Sequence, residues 1–139
     1  MGKIVLHKSR KCCNASKLIL VCDDIFDNCF FLQTVLEIEG YQVETVDSGA
    51  AALAFLESKR PALLLLDVMI PVMNGYEVVH HIKNNPLLES LPIVLITADE
   101  REFFRKEIDV KVDGFIRKPV EPDVLIKYVQ ATLRQSPCL

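Results

Sequence analysis

Five side chains in this 139-residue sequence have types that could act together on one group. They are the adjacent carboxylates Asp23 and Asp24, a third carboxylate at Asp67, the hydroxyl of Thr97 and the ammonium of Lys118. Carboxylates held close together repel, and each raises its neighbours' pKa unless a cation relieves them. A hard divalent ion does so, and two or three carboxylates completed by waters is the donor set Mg2+ prefers. Lys118 would add a mobile point charge for a carboxylate or a phosphoryl oxygen. Thr97 would add a hydroxyl donor, and the small Ala98 would leave space for an incoming group. A cation, an ammonium and a hydroxyl around one carboxylate suit phosphoryl transfer.

These residues share a place in the pattern, because each stands at the end of a short apolar run. The runs are LILVC at Leu18–Cys22, ALLLL at Ala62–Leu66, PIVLI at Pro92–Ile96 and a shorter one at Gly114–Ile116. Continuous apolar runs of this length fit strands buried on both faces, as in a parallel sheet. Tyr41–Val46 alternates instead, with Tyr41, Val43 and Thr45 on one side, which suits an edge strand. Between the runs lie helical patterns. Ile25, Cys29, Leu32 and Leu36 recur at helical spacing, Asp24 is expected to cap that helix, and Gly40 stands where it should end. Ala50–Ser58, Tyr76–Lys83 and Glu100–Ile108 follow, and Pro122–Leu133 opens on a proline suited to a first turn. Five strands alternating with five helices predict right-handed crossovers and an α/β fold covered on both faces. Ligands of such folds bind beyond the carboxyl ends of the strands, where the five residues stand.

Composition bounds the rest. Half the residues are apolar and a quarter charged, which excludes a disordered chain. The length fits one domain, expected as residues 17–134 between an N-terminal tail (1–16) and a short C-terminal tail (135–139). No apolar run approaches the roughly 20 residues of a membrane span, and Met1–Arg10 lacks the apolar stretch of a secretory signal. A net charge of −3 argues against direct nucleic-acid binding. Five cysteines, an odd number with no zinc or CxxC spacing, read as free thiols of a cytoplasmic protein; Cys12 and Cys13 lie on the tail. His80-His81 lack a third metal ligand and read as an ordinary helix face.

Four segments in this order resemble the receiver domain of two-component response regulators. They are Cys22-Asp23-Asp24, Leu66 to Glu77 (LDVMIPVMNGYE), Ile96-Thr97-Ala98 and Gly114 to Pro119 (GFIRKP). The resemblance covers Lys17 to about Arg134. It implies a doubly wound, flavodoxin-like sheet of five parallel strands in the order 2-1-3-4-5. It also implies that Asp67 accepts a phosphoryl group from a histidine kinase or His-phosphotransfer protein. Mg2+ would be bound by Asp24, Asp23, Asp67 and the backbone carbonyl of Met69. Thr97 would hydrogen-bond the phosphoryl group, Lys118 would pair with it, and Lys118-Pro119 would be a cis peptide. Phe115 would be the aromatic switch that turns inward when phosphorylation draws Thr97 over. That would couple the site to a partner-binding face made by the fourth helix, fifth strand and fifth helix. Such a module acts only on its own aspartate and is expected as a monomer or weak dimer.

Some positions depart from the family's commonest pattern. Lys111 stands where a glycine often ends the fourth helix, so that helix is expected to end differently. Phe103 and Phe104 are adjacent, so one helix cannot bury both equally: one is expected in the core, the other partly covered or an exposed anchor on the partner surface, while Tyr128 is expected in the core. Met69 and Asp99 occupy positions that vary the phosphoryl lifetime within the family. Three other functions compete. A phosphatase with an aspartate nucleophile usually carries DxD after its first strand, whereas Asp23 and Asp24 are adjacent. A scaffold that has lost phosphorylation would have lost its acids. A flavin domain would not place two acids where phosphate must bind. With a short tail after Arg134 and a Met1 start, a stand-alone regulator is expected over an excised receiver.

Overall fold

Each continuously apolar run becomes a strand. The computed structural model describes residues 17–98 and 111–134. Within them β1 (Leu18–Cys22), β2 (Gln42–Val46), β3 (Leu63–Asp67), β4 (Ile93–Thr97) and β5 (Gly114–Arg117) form one parallel sheet in the order β2-β1-β3-β4-β5. The helices α1 (Phe26–Ile38), α2 (Gly49–Ser58), α3 (Gly75–Lys83) and α4 (Pro122–Leu133) cover it. The doubly wound, flavodoxin-like architecture and its strand order are therefore as expected. The helix predicted over Glu100–Ile108, with Asp99, Phe103 and Phe104, lies outside the described residues, as do both terminal segments. No helix among the described residues is long and apolar enough to cross a membrane.

The strand pleat sorts the core into two layers. Ile19, Val21, Leu63, Leu65, Val94, Ile96 and Ile116 face α1 and α4. Leu20, Cys22, Leu64, Leu66, Ile93, Leu95 and Phe115 face α2 and α3. In β3 the four leucines alternate between the layers and all are fully buried, so the run reads as uniformly apolar. β2 lies at the sheet edge, with Tyr41 and Val43 in one layer and Val46 in the other.

Local chemistry sets the helix ends. Gly40 adopts φ 96°, and the N–H groups of Gly40 and Tyr41 bond the carbonyls of Glu37 and Leu36 at 3.0 and 3.2 Å. This is a Schellman ending, sealed by Tyr41 packing in the same layer as Leu36. Ser48 caps α2 by accepting from Ala51 N–H at 3.0 Å. Asn74 and Glu77 form a reciprocal capping box at the start of α3. The first helix corrects the sequence reading: Asp24 does not cap it. The N-cap is Ile25, which has no side-chain cap bond, and Asp23 accepts the Ile25 N–H instead. Ile25 is half exposed rather than part of the apolar face. Lys111 is non-helical and not among the positive-φ residues, while Tyr128 is half-buried against the core as expected.

One position is strained. Val72, fully exposed in the loop after β3, has φ 70°, and the Met73 N–H closes a three-residue turn on the Pro71 carbonyl at 2.9 Å. A β-branched residue in the left-handed region costs on the order of 1–2 kcal/mol, and asparagine tolerates it far better. Val72→Asn is therefore expected to stabilise the domain by about 1 kcal/mol, read as a higher urea midpoint with unchanged slope.

Candidate functional site

Sheet register assembles the site. Cys22 lies opposite Leu66, Asp67 opposite Ile96, and Thr97 opposite Arg117. The residues ending β1, β3, β4 and β5 therefore meet at one edge. Asp67 and Thr97 are themselves the last strand residues, one position further than the apolar runs suggested, because the ladder continues with the Val68 N–H on the Ile96 carbonyl at 3.0 Å. Gly75 then lets α3 start against the β3 backbone. A Cβ there would stand 2.8 Å from both the Asp67 carbonyl oxygen and the Val68 Cα.

Side-chain contacts are short at this edge. Lys118 Nζ donates to Asp67 Oδ2 at 2.9 Å and lies 3.7 Å from Asp23 Oδ2. The Met69 N–H donates to Asp67 Oδ1 at 3.0 Å, so both Asp67 oxygens are held. Lys118-Pro119 is a cis peptide, and the Lys118 N–H bonds the Thr97 carbonyl at 2.9 Å. Thr97 is fully buried beside this pair, and Phe115 is already packed inside the layer that faces α2 and α3.

Asp23, Asp24 and Asp67 each offer an oxygen within 4.8 Å of the others. Asp23 and Asp67 are buried, Asp24 is exposed, and Asp23 Oδ2 is a buried oxygen with no hydrogen-bond donor. Burial first, then the charge of Asp67, holds the Asp23 carboxyl above the usual aspartate range; the Ile25 N–H, Lys118 and Asn28 oppose the shift. An orphaned carboxylate oxygen with two further acids beside it is a donor set that fits a hard divalent cation. The described thiols are not part of such a set. Burial pushes Cys22 up to about 12 and raises Cys29, so both stay protonated.

The sequence reading missed the rim. Phe26 and Phe30 on α1 are 77 % and 61 % exposed and stack with ring centres 6.2 Å apart. Phe26 lines a cleft of about 460 Å³ with Asp23, Asp24 and Asp47, and Phe31 lines another of about 270 Å³ with Asp23, Lys118 and Pro119. The helical spacing of Cys29, Leu32 and Leu36 marks the buried face, but it does not say that the aromatics on the other side stack into a rim beside the acids. His80 and His81 are exposed on α3, and His80 Nε2 lies 2.9 Å from Asn84 Nδ2, as expected of an ordinary face.

A five-stranded doubly wound sheet with three acids, a buried threonine and a cis-proline lysine at one edge defines a class of phosphoryl-handling α/β domain. The family model of the response regulator receiver domain matches residues 19–130, and the chain belongs to that family. It is 37 % identical over 120 residues to the response regulator PleD of Caulobacter vibrioides, covering 86 % of this chain and 26 % of PleD. It is 36 % identical over 122 residues to the alkaline phosphatase synthesis transcriptional regulatory protein PhoP of Bacillus subtilis, covering 87 % and 50 %. The chain thus spans half or less of these curated relatives. Among solved structures, the signal receiver domain of a signal transduction histidine kinase from Syntrophus aciditrophicus superposes with a TM-score of 0.81 at 34 % identity, covering 88 % of this chain and 94 % of that one. The chemotaxis response regulator CheY4 of Vibrio cholerae gives 0.78 at 30 % identity, covering 84 % and 98 %.

Proposed function

We propose that this chain accepts a phosphoryl group on Asp67, with Mg2+ bound by Asp23, Asp24, Asp67 and the Met69 carbonyl, and so controls a downstream protein. The observation that carries the reading is the Asp67 carboxylate, buried, gripped by Lys118 at 2.9 Å and bordered by the orphaned oxygen of Asp23. An Asp67 oxygen attacks the phosphorus of a phosphohistidine. The P–N bond breaks as the P–O bond forms, and the imidazole leaves with the electron pair and takes up a proton. Bound Mg2+ supplies charge neutralisation on the phosphoryl oxygens. The Met69 N–H keeps the Asp67 carboxylate in one orientation, and Lys118 shifts from that carboxylate to a phosphoryl oxygen. The Thr97 hydroxyl then turns toward the phosphoryl group, and Phe115, already buried behind it rather than turning inward, holds that arrangement. This links Asp67 to the partner-facing surface around β5 and α4, and later hydrolysis of the acyl phosphate resets it.

The test is intact mass after incubation with acetyl phosphate. The expected result is a gain of one phosphoryl group that EDTA prevents. A folded protein that neither gains mass nor binds beryllofluoride would overturn the reading.

The phosphodonor is a histidine kinase or His-phosphotransfer protein. To bring a phosphohistidine to Asp67 its surface must cover the rim, where Phe26 and Phe30 offer an apolar seat continuous with the acids. Phe26→Asp with Phe30→Asp is expected to lower the ratio of the kinase-driven rate to the acetyl phosphate rate by at least about tenfold, the loss of one buried aromatic anchor. Paired rate measurements check it, and an unchanged ratio would place the donor elsewhere.

A further inference from the structure

We propose that Cys29 is a positioning residue for cation binding, acting through the peptide group that joins Asp23 to Asp24; this rests on the phosphoacceptor reading above. The Cys29 Sγ lies 3.2 Å from the Asp23 carbonyl oxygen in a buried contact. A carbonyl only accepts, so the thiol supplies the proton. That carbonyl belongs to the peptide linking the two acids, so its plane sets how both carboxylates project. Two other bonds hold Asp23. Its N–H donates to the Val46 carbonyl at 3.2 Å, and its Oδ1 accepts the Ile25 N–H at 2.9 Å. Among the described residues, the thiol is the only donor on its carbonyl. The result leaves Oδ2 as the one buried oxygen of Asp23 without a hydrogen bond, 3.7 Å from Lys118 Nζ, on a residue that belongs to the cluster of acids.

Cysteine suits both demands of this position. Cys29 sits in the layer with Leu32 and Leu36, where a small apolar body is needed, and its weak donor reaches out of that layer to the loop. Valine keeps the apolar body and loses the proton. Serine keeps a proton to donate and gives up some packing.

Calorimetric titration of the full chain with Mg2+ alone tests the assignment. Cys29→Val is expected to bind Mg2+ about three- to tenfold more weakly, the size of one lost hydrogen bond, at a melting temperature close to the original. Cys29→Ser is expected to stay within about twofold of the original affinity, whatever its stability. If Val leaves the affinity unchanged, or if the two variants lose affinity in proportion to lost stability, Cys29 is only a packing residue and the phosphoacceptor reading stands. If the unsubstituted chain binds no Mg2+, both fall together.

Discussion

Asp67→Asn is expected to abolish phosphorylation by acetyl phosphate while leaving the domain folded. No phosphoryl group should appear in the intact mass over a time in which the original protein is fully modified, a loss of at least about a hundredfold. The amide is nearly the same size, so the buried pocket at the end of β3 is neither emptied nor overfilled. Its oxygen still accepts the Met69 N–H that now holds Asp67 Oδ1. What it lacks is an anionic oxygen to attack phosphorus. Lys118 loses its acceptor at 2.9 Å but keeps the Asp23 carboxylate, 3.7 Å away, and the remaining acids repel less. The melting temperature should therefore hold or rise, which separates loss of the nucleophile from loss of the fold. A variant that is still phosphorylated would move the acceptor to another acid.

Much of this arrangement was legible because two periodicities carry it. A strand buried on both faces cannot hide, as the four consecutive leucines of β3 show. The Schellman ending of α1 follows from Gly40, whereas the capping box of Asn74 and Glu77 emerges only in the structure. The acids were readable as a cluster because parallel pairing delivers strand ends to one edge. Adjacent residues were harder. Which of Asp23 and Asp24 turns inward depends on the pleat: Ile19 and Val21 face α1, and a two-residue step carries Asp23 the same way. Composition does not distinguish them, and neither caps the helix, whose N-cap is Ile25. The positive φ of Val72 left no trace either, since glycine or asparagine usually marks such a turn. The exposed pair Phe26 and Phe30 drew no reading from the sequence; burial of Cys29, Leu32 and Leu36 on the opposite side turns it to solvent.

The buried carboxylate of Asp23 should make the metal-free domain less stable at neutral pH than it need be. Its pKa is raised in the fold, chiefly by burial and then by Asp67. A carboxyl whose folded pKa exceeds its unfolded value contributes stability below the unfolded value, near 3.8, and that contribution is lost as pH rises through the raised folded pKa. At neutral pH without metal, Asp23→Asn is expected to melt about 4 °C higher, the shift that about 1 kcal/mol gives in a domain of this length. The amide can still accept the Ile25 N–H through its oxygen. The advantage should shrink as pH falls toward the ordinary aspartate range, because the carboxyl is then neutral in both states. Mg2+ should reverse the order, since it stabilises the carboxylate form in proportion to its occupancy and finds a poorer ligand in the amide. Melting curves across pH 4–8, with and without Mg2+, check all three signs. A variant less stable than the original at neutral pH without metal would mean that Lys118, Asn28 and the Ile25 N–H more than compensate the burial. The orphaned oxygen would then be satisfied without a cation. A crossing of the two curves on adding Mg2+ would show that the stability forgone in the empty site is what draws the ion in.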